Sequence, residues 1–156
     1  MRLSTIKLND EEVAAVVTGA GLIPVATVNE KLSTAWPTEI FTLIQTGQLE
    51  AMNNWYRAGG KAALEDLSEY AIPKSNARYA PLYRHPRKIW GIGLNYVEHA
   101  SDLAEKPPTI YPGTFAKYDT TIIGPNEEIK IPVQSEKTTA EGELGIIFGK
   151  KCKDVE

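Results

Sequence analysis

The sequence predicts an α+β chain in two parts, and three observations predict it. Residues 2–8, 12–18 and 22–28 are short segments rich in Val, Ile and Leu, set around Gly19-Ala20-Gly21. Two stretches that follow carry apolar residues three and four apart, the spacing of one helix face. After Lys88 the apolar runs are short and broken by Gly and Pro. Little helix is left there to cross between parallel strands, so antiparallel or mixed β structure is expected.

The elements follow in order. The first three segments read as short antiparallel strands, with Gly19-Ala20-Gly21 supplying a hairpin turn between the last two. Thr34 or Thr38 is the expected cap of a helix holding Ile40, Phe41, Leu43 and Ile44, stopped by Gly47. Leu49, Met52, Trp55 and Tyr56 mark a second helix stopped by Gly59-Gly60, and 62–67 adds a further turn or two. Pro73, Pro81 and Pro86 punctuate a polar run that reads as a linker. It closes a small N-terminal module over 1–80 and opens a second part over 81–156. In that part 88–93 is a buried strand, a short helix runs from about Asn95 to Ala104, and Pro107-Pro108 ends it. Short β segments are expected at 113–118, 120–123, 128–131 and 142–149, with a turn at Gly124-Pro125-Asn126.

Composition sets the class. The chain has 156 residues, 42% hydrophobic and 24% charged, which is enough apolar material for a real core. Net charge is −3 with no basic tract, which argues against a nucleic-acid partner. No apolar run approaches the length of a membrane span, and no secretory signal pattern follows Met1. Cys152 is the single cysteine, so no intrachain disulfide forms and a cytoplasmic location is expected.

Three groups of residues carry candidate chemistry. Gly91-Ile-Gly93-Leu-Asn95-Tyr96 follows a strand and opens a helix. As a dinucleotide fingerprint it fails: Tyr96 stands where a third glycine is needed, and Asp119 is badly placed for the acid expected about 20 residues on. In the helix, His99 and Asp102 are three apart and share a face. A carboxylate beside an imidazole fixes its tautomer and raises its basicity, as a general base requires. A surface His–Asp pair with no role is the bland alternative. In Glu141-Gly142-Glu143-Leu144-Gly145, a strand would place both carboxylates on one face. A wet acidic face accounts for that pattern alone; a hard divalent cation held by paired carboxylates is the sharper account. Lys117 ends Phe115-Ala116-Lys117, either as a snorkelling surface residue or as a positive charge for an anionic intermediate.

The ordered set is Gly-Ile-Gly-Leu-Asn-Tyr-x-x-His, Phe-x-Lys, a Gly-containing turn, Ile-x-x-Pro and Glu-x-Glu-Leu-x-x-Ile-x-Gly-Lys. It resembles the fumarylacetoacetate hydrolase family over about Lys88 to Lys151. The resemblance implies a mixed β-roll of the fumarylacetoacetate hydrolase type, generally dimeric, holding Mg²⁺ or Mn²⁺ through three acidic side chains. Glu141 and Glu143 match the first two metal ligands, His99 the catalytic histidine, and Lys117 the basic residue for an oxyanion or enolate. Family members usually carry Glu where this chain has Asp102, and Glu105 is one turn on. The implied substrate is an acylpyruvate or related 2-oxo acid, cleaved at a C–C bond. Decarboxylation, isomerisation and hydration use the same chemistry and stay open, as does a non-catalytic role as an assembly subunit. No convincing third acidic ligand follows Glu143, Asp154 lying in a polar Lys-rich run. The chain is therefore expected to be the N-terminal portion of a family member and, by the same resemblance, a homodimer without membrane contact.

Overall fold

A computed structural model describes residues 1–156 apart from 103, 104 and 156, and the backbone alone of 99 and 102. The chain is α+β with small sheets, in two compact units: Met1–Tyr83 with Ile123–Glu156, and Arg84–Ile122.

The first unit is built on a three-stranded antiparallel sheet of β1 (Leu3–Leu8), β2 (Glu11–Val17) and β3 (Leu22–Pro24), in that order. Asn9 and Asp10 join β1 to β2 with φ of 49° and 64°. Two central residues with positive φ match the right-handed strand twist, and Asn and Asp tolerate that geometry best after glycine. The expected hairpin turn after β2 forms, with the Thr18 hydroxyl and the Gly21 backbone joined side chain to main chain. The sheet is buried on both faces. Ala14, Val16 and Ile23 face the helices, while Ile6, Ala15 and Leu22 pack with Ile72 and Ala77 on the other side. Burial on both sides is why β2 reads as a continuous apolar run.

The third strand is shorter than the sequence pattern implies. Residues 25–28, expected as strand, begin α1 (Val25–Leu32). Pro24 has φ −57° and ψ 139°, ends the ladder, and leads into a helix whose inner side is Val25 and Val28. Asn29 then ties the following loop: its Oδ1 accepts from the Trp36 N–H and the Thr34 hydroxyl, and its Nδ2 donates to the Trp36 carbonyl. The helices α2 (Ile40–Gln45) and α3 (Gln48–Trp55) follow, with Gly47 at φ 73° between them. Neither Thr34 nor Thr38 caps α2; Glu39 precedes it. After α3 the chain kinks within Tyr56–Gly60, where Gly59 has φ 129°, and α4 (Lys61–Asp66) follows. Leu43, Met52 and Leu64 are the fully buried side chains these helices supply to the core.

The proline-punctuated run is pinned for much of its length. Leu22 and Ile72 pair along the free edge of β3, and Tyr79 bridges to Ile6 along β1. The Ala80 N–H donates to the Thr5 carbonyl and the Thr5 hydroxyl to the Leu82 carbonyl, at 3.0 and 2.7 Å. Each open edge of the sheet is thereby paired over part of its length, which limits its capacity to pair with another chain.

In the remainder of this unit the turn at Gly124-Pro125-Asn126 forms as expected. The Glu127 N–H donates to the Gly124 carbonyl and Asn126 has φ 65°, giving a type II turn with Pro at its second position. The strands expected at 128–131 and 142–149 are absent: these residues carry no regular secondary structure. Leu144, Ile146 and Phe148 are 81%, 77% and 78% exposed, so the alternating pattern is not laid against a core. Alternation states which face a strand would bury, but a strand exists only through a ladder to a neighbour.

The second unit holds a two-stranded antiparallel sheet, β4 (Ile89–Gly93) with β5 (Gly113–Lys117), and α5 (Val97–Asp102) between them. Of residues 120–123, expected as strand, 120 and 121 fall in a 3₁₀ turn over Asp119–Thr121 and 122 and 123 carry no regular structure.

Candidate active site

The second unit assembles the strand, corner and helix on which three candidate residues lie. In β4 and β5 the register sets Ile89 opposite Lys117, Gly91 opposite Phe115 and Gly93 opposite Gly113. These six share one face of the ribbon. Trp90 and Ile92, with Ala116 and Thr114 opposite, share the other.

Gly91 has a use that a phosphate-binding reading does not supply. A Cβ there would lie 2.6 and 2.8 Å from Cε2 and Cε1 of Phe115, closer than real contacts allow. The absent side chain is what lets the phenyl ring lie across β4. Lys117, two residues on along β5, sets its Nζ 5.7 Å from the centroid of that ring, within the range of a cation–π contact.

Beyond Gly93 the chain turns through Leu94 at φ +54°. A left-handed conformation at a γ-branched residue is uncommon and strained. It turns the strand into α5, whose first bond runs from the Ala100 N–H to the Tyr96 carbonyl at 3.0 Å. The Glu105 N–H donates to the Ala100 carbonyl at 2.9 Å at the other end. Ala100 is fully buried and anchors the helix. His99 and Asp102 both lie on α5, three residues apart. Their side chains, and so the expected imidazole–carboxylate pair, lie outside the described residues. Glu105 is exposed, just past the helix.

Asp119, the acid a dinucleotide reading would have needed, instead pairs with His85: Nδ1 lies 3.4 Å from Oδ2. Both side chains are well exposed, at 85% and 41%. Sequence reasoning did not find this pair, because 34 residues separate its members and no local spacing links them.

Glu141 and Glu143 belong to the first unit, in an exposed segment without regular structure. The strand face on which they were expected to meet is not formed. Among the described residues no three His, Cys, Asp or Glu side chains converge as a metal site. The donor type fits a hard cation, since both groups are carboxylates and a Mg²⁺ ion commonly takes one or two protein carboxylates besides water and substrate oxygens. The same unit holds a cavity of about 620 Å³ lined largely by apolar residues, among them Leu3, Ile40, Ile44 and Leu49. None of the candidate residues lines it.

Residues 88–156 match the family described as fumarylacetoacetate (FAA) hydrolase C-terminal. Over that stretch the chain is similar to the fumarylacetoacetate hydrolase family. All five candidates, His99, Asp102, Lys117, Glu141 and Glu143, lie in the matched stretch. The chain is similar to a protein of Burkholderia cenocepacia (strain HI2424) named "Putative hydrolase", at 40% identity over 99 residues, 62% of this chain and 35% of that one. A Burkholderia multivorans relative (strain ATCC 17616 / 249), also named "Putative hydrolase", is 48% identical over 99 residues, with the same shares of each chain. One of Burkholderia ambifaria (strain MC40-6), of the same name, is 48% identical over 69 residues, 44% of this chain and 24% of the relative. The chain thus spans about a third of the length of the curated relatives it matches first. No solved structure matches it. No helix among the described residues is long and apolar enough to cross a membrane.

Proposed function

We propose that the protein is a divalent-metal-dependent hydrolase that cleaves a C–C bond in an acylpyruvate or related 2-oxo acid. The observation that carries this reading is the family match over 88–156, which contains all five candidate residues. The hydrolase names of the relatives support hydrolysis over decarboxylation, isomerisation or hydration.

In this reading Glu141 and Glu143 would hold Mg²⁺ or Mn²⁺, with Mg²⁺ the expected ion. Bound there, a divalent cation supplies Lewis acidity toward the 2-oxo acid oxygens. The chain's own residues do the rest. A nitrogen of the His99 imidazole takes a proton from water, and the Asp102 carboxylate holds the imidazolium that results. The water oxygen bonds to the acyl carbonyl carbon, and the bond from that carbon to the pyruvyl methylene breaks. Its electron pair passes into the enolate of pyruvate, whose negative oxygen faces the Lys117 ammonium. His99 returns its proton to the methylene carbon. The products are a carboxylic acid, which loses its remaining proton to solvent, and pyruvate, so one water is consumed and no oxidant or reductant is needed.

The test is pyruvate release from acetylpyruvate, followed with and without Mg²⁺. Metal-dependent release that EDTA abolishes is the expected result. Release that EDTA leaves untouched overturns the metal role, and no release under any metal overturns the substrate class for this chain.

A homodimer and a cytoplasmic location belong to the same proposal. Exposed large apolar side chains, including Trp90 at 64% and Leu144 at 81%, support association with a second copy. They equally favour the second reading, a non-catalytic assembly subunit, in which the chain pairs but releases no pyruvate. Light scattering reads the association and the pyruvate assay separates the two.

A further inference from the structure

We propose that Phe115, seated on the glycine floor of β4, is a positioning residue that holds the Lys117 ammonium in place for the anion it is proposed to bind. The proposal rests on the role given to Lys117 above. Three observations carry it. Gly91 lies directly opposite Phe115, and any Cβ at Gly91 would displace the tip of the ring. The floor extends to Gly93, where a Cβ would sit 3.9 Å from Phe115 Cε1. Lys117 shares the face of Phe115 two residues further on, with its Nζ 5.7 Å from the ring centroid.

The ring stays 46% exposed, so its burial alone is a weak reason for an aromatic side chain here. Shielding bare glycine backbone accounts for a phenyl ring opposite Gly91. It does not account for a cation over the same ring. A lysine on an exposed strand end has a flexible four-carbon stem and many rotamers. A π face on its own side of the strand selects those that keep the charge beside the ring that lies across Gly91.

The test is competitive acetylation of the whole chain at a fixed pH, reading Lys117 against Lys130 and Lys137 by mass spectrometry. Phe115→Leu should raise Lys117 labelling about two- to fivefold, the factor an exposed cation–ring contact is worth. Phe115→Tyr keeps the ring and should restore the original value. Gly91→Ala keeps Phe115 but moves it, and should give the same rise as Phe115→Leu. Unchanged labelling in both Phe115→Leu and Gly91→Ala, with circular dichroism like that of the unsubstituted protein, overturns the proposal. Should those variants not fold, the unsubstituted protein decides by NMR. The Lys117 ε-methylene protons are expected upfield of those of Lys130, and coincident resonances overturn the proposal. Oxalate with Mg²⁺ separates this from the underlying reading. If oxalate fails to protect Lys117 while the ring effects persist, the anion-binding role of Lys117 falls. If oxalate protects while the ring effects are missing, only the role of Phe115 falls.

Discussion

Leu22 and Ile72 exchange both backbone hydrogen bonds, Leu22 N–H to the Ile72 carbonyl at 2.8 Å and Ile72 N–H to the Leu22 carbonyl at 2.9 Å. The pair seals the proline-punctuated run to the free edge of β3. Gly21, at φ +151°, is the residue that permits this approach. A Cβ there would lie 2.8 Å from the Ile72 carbonyl carbon and closer still to its oxygen. Backbone cannot swing aside as a side chain can. Gly21→Ala is expected to lower stability by about 1–3 kcal/mol. Urea unfolding checks this, and an unmoved midpoint would show that the edge contact is dispensable.

Leu94 gives a second prediction, at the corner that leads from β4 into α5. Its φ of +54° is available to glycine without penalty but costs other L-residues about 1–2 kcal/mol. Comparing Leu94→Gly with Leu94→Ala removes the leucine side chain equally from both. The glycine variant should be the more stable by about 1 kcal/mol in thermal unfolding. An alanine variant as stable as the glycine variant would mean the corner relaxes out of the left-handed region.

Tyr83 predicts an alkaline dependence. Burial raises its phenol above the ordinary value of 10.0, and its ring packs on Phe41 with centroids 5.4 Å apart. Between 10.0 and the raised folded value, the unfolded chain loses this proton before the folded one does. Stability therefore falls as pH rises through that window, and the contribution is intact below it. Tyr83→Phe should flatten the fall relative to the parent. Parallel stability curves above pH 10 in the two proteins would remove Tyr83 as its source.

The N-terminal module was the more legible part of the sequence, because its signals are local. Gly19-Ala20-Gly21, the spacing of Leu49, Met52 and Trp55, and the stop at Gly47 each act within a few residues. The boundary at Pro24 was missed because Val25 and Val28 suit a strand as well as a helix, and tertiary burial chose the helix. The later strands were less legible. Leu144, Ile146 and Phe148 alternate correctly, yet pairing depends on a partner that no local pattern supplies. In the candidate site, His99, Lys117, Glu141 and Glu143 stood out through their order along the chain. Phe115 over Gly91 and the conformation of Leu94 did not, since each arises from a register or a dihedral angle that side-chain identity does not encode.

The central claim is tested most directly by pyruvate release from acetylpyruvate, measured with His99→Ala beside the unsubstituted chain. Mg²⁺-induced thermal shift is followed in both proteins as a measure of metal binding. The expected result is Mg²⁺-dependent release by the parent, and loss of that release in His99→Ala. The general-base contribution alone is worth roughly 10²–10⁴-fold, while the thermal shift stays unchanged. Equal release by the two proteins would contradict the account.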